Sequence, residues 1–329
     1  MKIVLLNTHG VYSHAMVYNG IKEAFNEIKQ EDSNFDFIEV PIGKQDEDII
    51  PNYDPDFIFV STPLAAGFRV WKRYRNKKVI AYETEGLYES SLAMDSIRYC
   101  DYFVNVDKNG TDFFKEHLQK HNLNCKVYHM PLGFSPDVYK FQDIPEDYKS
   151  DVCLAGAIFD RRRKAIEELR QIKDKINFRV ITPKDWIGRI IHPEDIAHLH
   201  RSHVSPDELG RYYAGSKIIL CINRDFEPSN TTGVSSSTPG RVFQETACRR
   251  MVMIDDTRPE INDYFEDGKE IIIFKHDDPN DLREKILYYL EHEEEREAIA
   301  HNGYVRTMAE NTWKHRIKRM LNWIEKEDV

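Results

Sequence analysis

Residues 150–169 read SDVCLAGAIFDRRRKAIEEL: a short apolar run, a glycine turn at Gly156, three consecutive arginines, and the opening of a helix. A β-run that passes through a glycine turn straight into a helical run is half of a βαβ unit, and such units build parallel sheets covered by helices. Toward the C-terminus the alternation continues through FRVIT (178–182), a helix around Asp207 to Ala214, KIILCIN (217–223), a helix through Phe243 to Cys248, MVMIDD (251–256) and EIIIFK (270–275). Toward the N-terminus it is already present in KIVLL (2–6), the helical MVYNGIKEAFNEI (16–28), FDFIEV (35–40), DFIFVS (56–61), KKVIAYE (77–83), YFVNVD (102–107) and KVYHMPLG (126–133). The pattern stops at the polar, turn-forming PEDYKS (145–150) and restarts there. The expected organisation is therefore α/β, with two doubly wound domains over residues 1–145 and 146–311. DPNDLREKILYYLEH (278–292) opens on an Asp/Asn cap, and a last charged helix, residues 312–329, is expected to pack back on the first domain.

A chain of 329 residues accommodates two such cores, and 41% hydrophobic with 31% charged residues is the composition of an ordinary water-soluble protein. No run approaches the roughly 18 apolar residues that span a bilayer. MKIVLLNTHG has one lysine and a short apolar stretch that turns polar at once, so it reads as a first strand rather than a secretion signal. These features place the chain in the cytoplasm. Cys100, Cys125, Cys153, Cys221 and Cys248 are scattered and show no metal-ligand spacing, which reads as reduced thiols. A net charge of -10 argues against a broad grip on nucleic acid, although Arg69 to Lys78 forms a local basic stretch.

In open parallel sheets, ligands bind in the loops at the carboxyl ends of the strands. Four such loops carry candidate chemistry. THGVYSHAMVYNG (8–20) puts Gly10, Ser13 and His14 at a helix start, where amides favour anions and His14 can serve as a general base or simply as a cap. It contains no GxGxxG, so a dinucleotide-binding fingerprint is not supported. The arginines after Gly156 suit a diphosphate clamp, because guanidinium stays charged and donates bidentately. SSSTPGRVFQETACRRMVMIDD (235–256) offers Ser236, Ser237 and Thr238 ahead of a helix starting near Pro239 and Gly240, whose free amides would cradle phosphate oxygens without competing side-chain bulk, with Gln244 or Glu245 one turn in as acceptors for ribose hydroxyls. KKVIAYETEGLYES (77–90) sets Glu83 and Glu85 after a strand, as an acceptor contact, a base, or merely a solvated pair. The histidines of HPEDIAHLHRSH (192–203) are irregularly spaced and read as a surface helix and loop rather than a zinc site.

Taken in order, SDVCLAGAIFDRRRKAIEEL, HVSPDELGRYYAGSKIILCINRD (203–225), TPGRVFQETACRRMVMIDDTRPEINDYFEDGKEIIIFKHDDPNDLREKI (238–286) and NGYVRTMAENTWKHRIKRML (302–321) resemble the glycosyl transferases group 1 family, in its CgeB-like branch. DYFVNVDKNGTDFF (101–114) and VYHMPLGFSPDVYK (127–140) resemble the same branch more faintly. The resemblance implies a GT-B fold, two Rossmann-like domains facing across a cleft, with the donor nucleotide on the C-terminal domain and the acceptor mainly on the N-terminal one. It also implies a UDP-activated sugar, UDP-glucose or another UDP-hexose, as donor, with no cofactor and no obligatory metal. By position, Gly156, Arg162 or Arg163 would meet the diphosphate, Thr238, Gly240 and Arg241 would line a phosphate loop, and Val204 would lie near the base. The family's ribose-binding glutamate falls on Gln244, its usual glycine on Arg249, and a common asparagine on Cys221. The expected activity is hexosyl transfer to an unidentified hydroxyl of a protein, envelope polymer, small molecule or modified nucleic acid. The rival readings are a nucleotide-sugar epimerase of the same fold and a nucleotide-binding protein without turnover.

Overall fold

The computed structural model describes residues 1–7, 12–41, 46–61, 76–84, 97–137, 143–196, 198–200, 202, 204–224 and 235–327, with the side chains of 7, 12–15, 41 and 46–48 set aside. It divides into two compact units, one formed by Met1–Gly133, Pro228–Ser237 and Trp313–Val329, the other by Phe134–Glu227 and Thr238–Thr312.

In the first unit, β1 (Lys2–Asn7), β2 (Asp36–Pro41), β3 (Phe57–Ser61), β4 (Lys78–Glu83), β5 (Tyr102–Asn105) and β6 (Lys126–His129) form one sheet in the order β2-β1-β3-β4-β5-β6. Every pairing is parallel. Side chains alternate across a strand, so the two faces fill differently. Ile3, Leu5, Phe57, Phe59, Ile80 and Tyr82 pack with Ile21 and Phe25 of α1 (Tyr12–Glu31). Val4, Leu6, Ile58, Val60, Val79 and Ala81 pack on the other side with Ile50 of α2 (Asp46–Tyr53) and with Phe114 and Leu118 of α3 (Lys108–His121).

The first of these faces is completed by the end of the chain. The last helix, labelled α9 (Trp313–Glu327), contributes Trp313, Ile317, Met320, Leu321 and Ile324 to the core built on α1. These residues recur every three or four positions, the spacing of one helix face. Gly20 makes the approach possible, since a Cβ there would fall 2.0 Å from Nε1 of Trp313. Outside this seam, Lys314 and Lys318 pair with Glu31, and Lys314 lies 3.3 Å from Glu27.

The second unit holds β7 (Ser150–Ala155), β8 (Phe178–Ile181), β9 (His198–His200), β10 (Ser216–Cys221), β11 (Met251–Asp255) and β12 (Ile272–Phe274), again all parallel, in the order β12-β11-β10-β7-β8-β9. Its remaining helices are α4 (Asp160–Arg170), α5 (Pro206–Ala214), α6 (Arg241–Ala247), α7 (Pro279–Glu291) and α8 (Glu293–Glu310). Asp278 caps α7 by accepting from the amides of Asn280 and Asp281. The histidine-rich stretch departs from the expected surface helix. Around Pro193–Asp195 it makes a short 3-10 turn, and His198–His200 then pairs with β8 as the edge strand. The sheet order reverses between β7 and β10, which makes their carboxyl ends a topological switch point.

Candidate functional site

The switch point is occupied by two arginines. Gly156 ends β7 at φ +117°, a conformation that side chains beyond glycine rarely adopt. A Cβ there would fall 2.6 Å from Nη1 of Arg162 and 3.2 Å from Nη1 of Arg241. Glycine therefore serves both the turn and the close passage of two guanidinium groups. Arg162 donates from Nε to the carbonyl of Ile222 at 3.1 Å and from Nη1 to that of Ala157 at 2.7 Å. Arg241 donates from Nη1 to the carbonyl of Ala155 at 2.8 Å and from Nη2 to the same Ile222 oxygen. Gly156, Arg162 and Arg241, singled out separately in the sequence, are thus brought together.

Burial first and the neighbouring Arg241 second pull the Arg162 guanidinium down to about 9, so it remains protonated at neutral pH. Its Nη2 makes no hydrogen bond among the described residues. Beside this pair, Arg161 donates from Nη1 to the Thr257 hydroxyl at 3.0 Å and lies 3.9 Å from Asp255. Asp255 is fully buried at the end of β11, where it accepts from the backbone and side-chain nitrogens of Asn223. Arg224 adds a further guanidinium, 4.8 Å above the Phe159 ring.

The three consecutive arginines therefore diverge. Arg162 shares its helix face with Ala165, Ile166 and Leu169 and is buried with them. Arg161 extends toward the end of β11. Arg163 turns along its own helix to Asp160, with Nε at 3.7 Å, and takes no part in the pair at Ile222. Of the two arginines expected to meet the diphosphate, Arg162 is the one that joins Arg241 at Ile222, because successive helical residues point about 100° apart.

The turn before α6 also differs in detail from its reading. Gly240 caps the helix in right-handed geometry, φ -55°, with no side-chain cap. Thr238 is buried, and its hydroxyl oxygen has no hydrogen-bond partner among the described residues. Ser236, expected to leave room for phosphate oxygens, is committed in the first unit: its hydroxyl donates to Oδ1 of Asp107 at 2.8 Å and accepts from the amide of Asn109 at 3.2 Å. Asp107 itself caps α3, a role readable in VDKNGTDFF, whereas its bond to a serine so remote in sequence is not. Ser237 faces Ser235 at 2.8 Å.

Glu245, expected to share the ribose contact, is corrected by its burial. It has no exposed surface, and its carboxyl faces Nε of Arg241 at 3.8 Å, one helical turn back. Burial holds this carboxyl above the ordinary carboxylate range against the pull of Arg241. Gln244, next along the helix, is only half-buried. Val204 is half-buried in the segment just before Ser205, the N-cap of α5.

In the first unit, Glu83 is buried at the carboxyl end of β4, in register with Asn105. Glu85 lies outside the described residues. His14 falls in the first turn of α1, and its side chain also lies outside them. Among the described residues, no group of three or more His, Cys, Asp or Glu side chains could hold a metal ion, and no helix is long and apolar enough to cross a membrane.

Residues 161–322 match the family model described as glycosyl transferase-like. Over 269 residues the chain is 23% identical to the spore protein CgeB of Bacillus subtilis (strain 168), covering 79% of this chain and 80% of that one. The solved structure of Anabaena HepE in complex with UDP and glucose superimposes with a TM-score of 0.66 at 12% identity, covering 98% of this chain and 99% of that chain. Sucrose-phosphate synthase from Thermosynechococcus elongatus gives a TM-score of 0.65 at 11% identity, covering 99% and 98%. Residues 161–322 are thus glycosyl transferase-like, and the two parallel six-stranded sheets match the GT-B fold of these solved structures.

Proposed function

We propose that this protein transfers a hexose from a UDP-sugar to an acceptor hydroxyl, with the diphosphate held at the β7/β10 switch point. The observation that carries the reading is the convergence of Arg162 and Arg241 on the Ile222 carbonyl beside Gly156. Arg241 directs its donors inward and fixes the frame, so the groups that meet the diphosphate are Arg161 and Nη2 of Arg162. As the glycosidic bond to the leaving diphosphate breaks, negative charge grows on its oxygens, and preorganised guanidinium groups stabilise that charge more than they stabilise the bound donor. These groups perform the neutralisation without an obligatory metal. Gln244, half-buried on α6, contacts the ribose through its amide, and Val204 lies near the base.

The acceptor proton passes to a base of the N-terminal unit, with His14, Glu83 and Glu85 as candidates, or to the departing diphosphate. The first route inverts the anomeric centre and the second retains it. UDP as donor nucleotide is supported by HepE, which was solved with UDP and glucose. The test is a thermal-shift and calorimetric screen of nucleotides and nucleotide-sugars. UDP at about a hundred times its dissociation constant should add roughly 2.7 kcal/mol of stability, and release of UDP from UDP-glucose should follow when the acceptor is present. Isomerised sugar without released UDP would instead make the protein an epimerase, and UDP binding without consumption of any UDP-sugar would make it a binding protein.

A further inference from the structure

At the amino end of the first sheet, away from every residue assigned above, two thiols face each other. Cys100 precedes β5 and Cys125 precedes β6, and the parallel pairing of Tyr102 with Lys126 sets them diagonally across neighbouring strands. Their sulfur atoms are 3.6 Å apart. Adjacent strands run about 4.8 Å apart, which falls within the Cα separations that a disulfide bridges. Closing to a sulfur–sulfur bond of about 2.05 Å asks for an approach of roughly 1.5 Å, shared between two side chains. Cys100 is buried and Cys125 half-buried, so one sulfur is reachable and the other waits behind it. Cys153, Cys221 and Cys248 are all fully buried in the second unit.

We infer that Cys100 and Cys125 form a reversible dithiol–disulfide site, oxidised by hydroperoxides and reset by dithiols. Cys125, as its thiolate, attacks the terminal peroxide oxygen; the O–O bond breaks, the alkoxide takes up a proton and leaves as an alcohol (as water when the oxidant is hydrogen peroxide), and Cys125 becomes a sulfenic acid. Cys100 then attacks that sulfur, giving up its proton as hydroxide leaves as water. Two thiols and one hydroperoxide thus yield one disulfide, one water and one alcohol, or two waters when the oxidant is hydrogen peroxide. Burial and the neighbouring Cys125 keep the Cys100 thiol well above its ordinary value, which suits it to the second step rather than the first. The bond closes a loop containing β5 and α3, and so staples the edge of the sheet.

The full chain treated with hydrogen peroxide should lose two hydrogens in intact mass, and alkylation under denaturing conditions should then add three groups where the reduced chain takes five. Peptide mapping without reductant should join Cys100 to Cys125 and leave the other three cysteines alkylated. Dithiothreitol should restore the starting mass, and the oxidised form should melt several degrees higher than the reduced one. Cys100→Ser should leave a sulfenic acid on Cys125 that a dimedone probe captures. The inference is overturned if Cys125 proceeds to sulfinic acid while Cys100 stays alkylatable, or if the links formed are scrambled among all five cysteines.

Discussion

The guanidinium groups of Arg162 and Arg241 donate to one and the same acceptor, the carbonyl oxygen of Ile222. Two like charges meet there at the end of β10, held by main-chain oxygens rather than by a carboxylate between them. Glu245 faces Arg241 at 3.8 Å, and in the proposed function an arriving diphosphate adds the counter-charge that Arg162 lacks.

The arginines of the α4 turn should separate by role. Arg162→Ala leaves the carbonyls of Ala157 and Ile222 without this donor and should cost about 3 kcal/mol in urea unfolding. Arg161→Ala removes a hydrogen bond to Thr257 and the 3.9 Å contact with Asp255 and should cost about 1 kcal/mol, less than Arg162→Ala. It should nevertheless weaken UDP binding by roughly tenfold or more in calorimetry, the worth of one charged hydrogen bond. Unchanged UDP affinity in Arg161→Ala would remove that residue from the diphosphate contact.

Gly156→Ala introduces a methyl group 2.6 Å from Nη1 of Arg162 in a backbone with φ +117°. The strain and the displaced arginine should together cost about 2–3 kcal/mol, read as a lower midpoint in chemical denaturation. The UDP-dependent thermal shift should shrink with it. A fully stable variant with native UDP affinity would show that the turn has room to spare.

Arg249 stands where the resembling family usually has glycine, and its φ is +54°. A left-handed residue with a side chain costs about 1 kcal/mol relative to glycine. The long contacts of its guanidinium, 3.4 Å to His301 and 6.0 Å to the Tyr304 ring, offset only part of that. Arg249→Gly should therefore raise stability by up to about 1 kcal/mol, measured as a shift of the urea midpoint at constant slope.

The docking of α9 should loosen in acid. Hydrogen bonds from Lys314 and Lys318 hold the Glu31 carboxyl at about 2, below its ordinary 4.5. A group whose folded pKa is depressed contributes stability above its unfolded value, and that contribution is lost as pH falls through the folded value. Tryptophan emission, to which Trp313 and Trp323 of α9 contribute among the chain's four tryptophans, should shift progressively between pH 4.5 and pH 2. Glu31→Gln should flatten that part of the profile. An identical profile in both proteins would place the acid response elsewhere.

The sheets were legible because runs such as DFIFVS and MVMIDD are apolar and β-rich between turn residues, and they became β3 and β11. His198–His200 was missed because three residues of alternating histidine carry too little apolar signal to mark an edge strand. The fate of the three arginines was partly available: Arg162 lies three, four and seven residues before Ala165, Ile166 and Leu169, the spacing of a buried face. The same rule places Glu245 beneath Arg241 rather than beside Gln244 at the surface. The bond between Asp107 and Ser236 was out of reach, since nothing local to either residue names the other. Arg249 betrays its left-handed backbone only through the glycine it replaces.

The position of α9 has a consequence for how the protein is made. A ribosome delivers β1 to β6 well before α9, and until α9 is made one side of that sheet lacks Trp313, Ile317, Met320, Leu321 and Ile324. During that interval the nascent first sheet presents an uncovered greasy flank, while β7 to β12 and α4 to α8 of the second unit emerge in turn. The later-encoded unit is thus able to mature before the earlier one, and the nascent first sheet depends on chaperones most while α9 is still inside the exit tunnel.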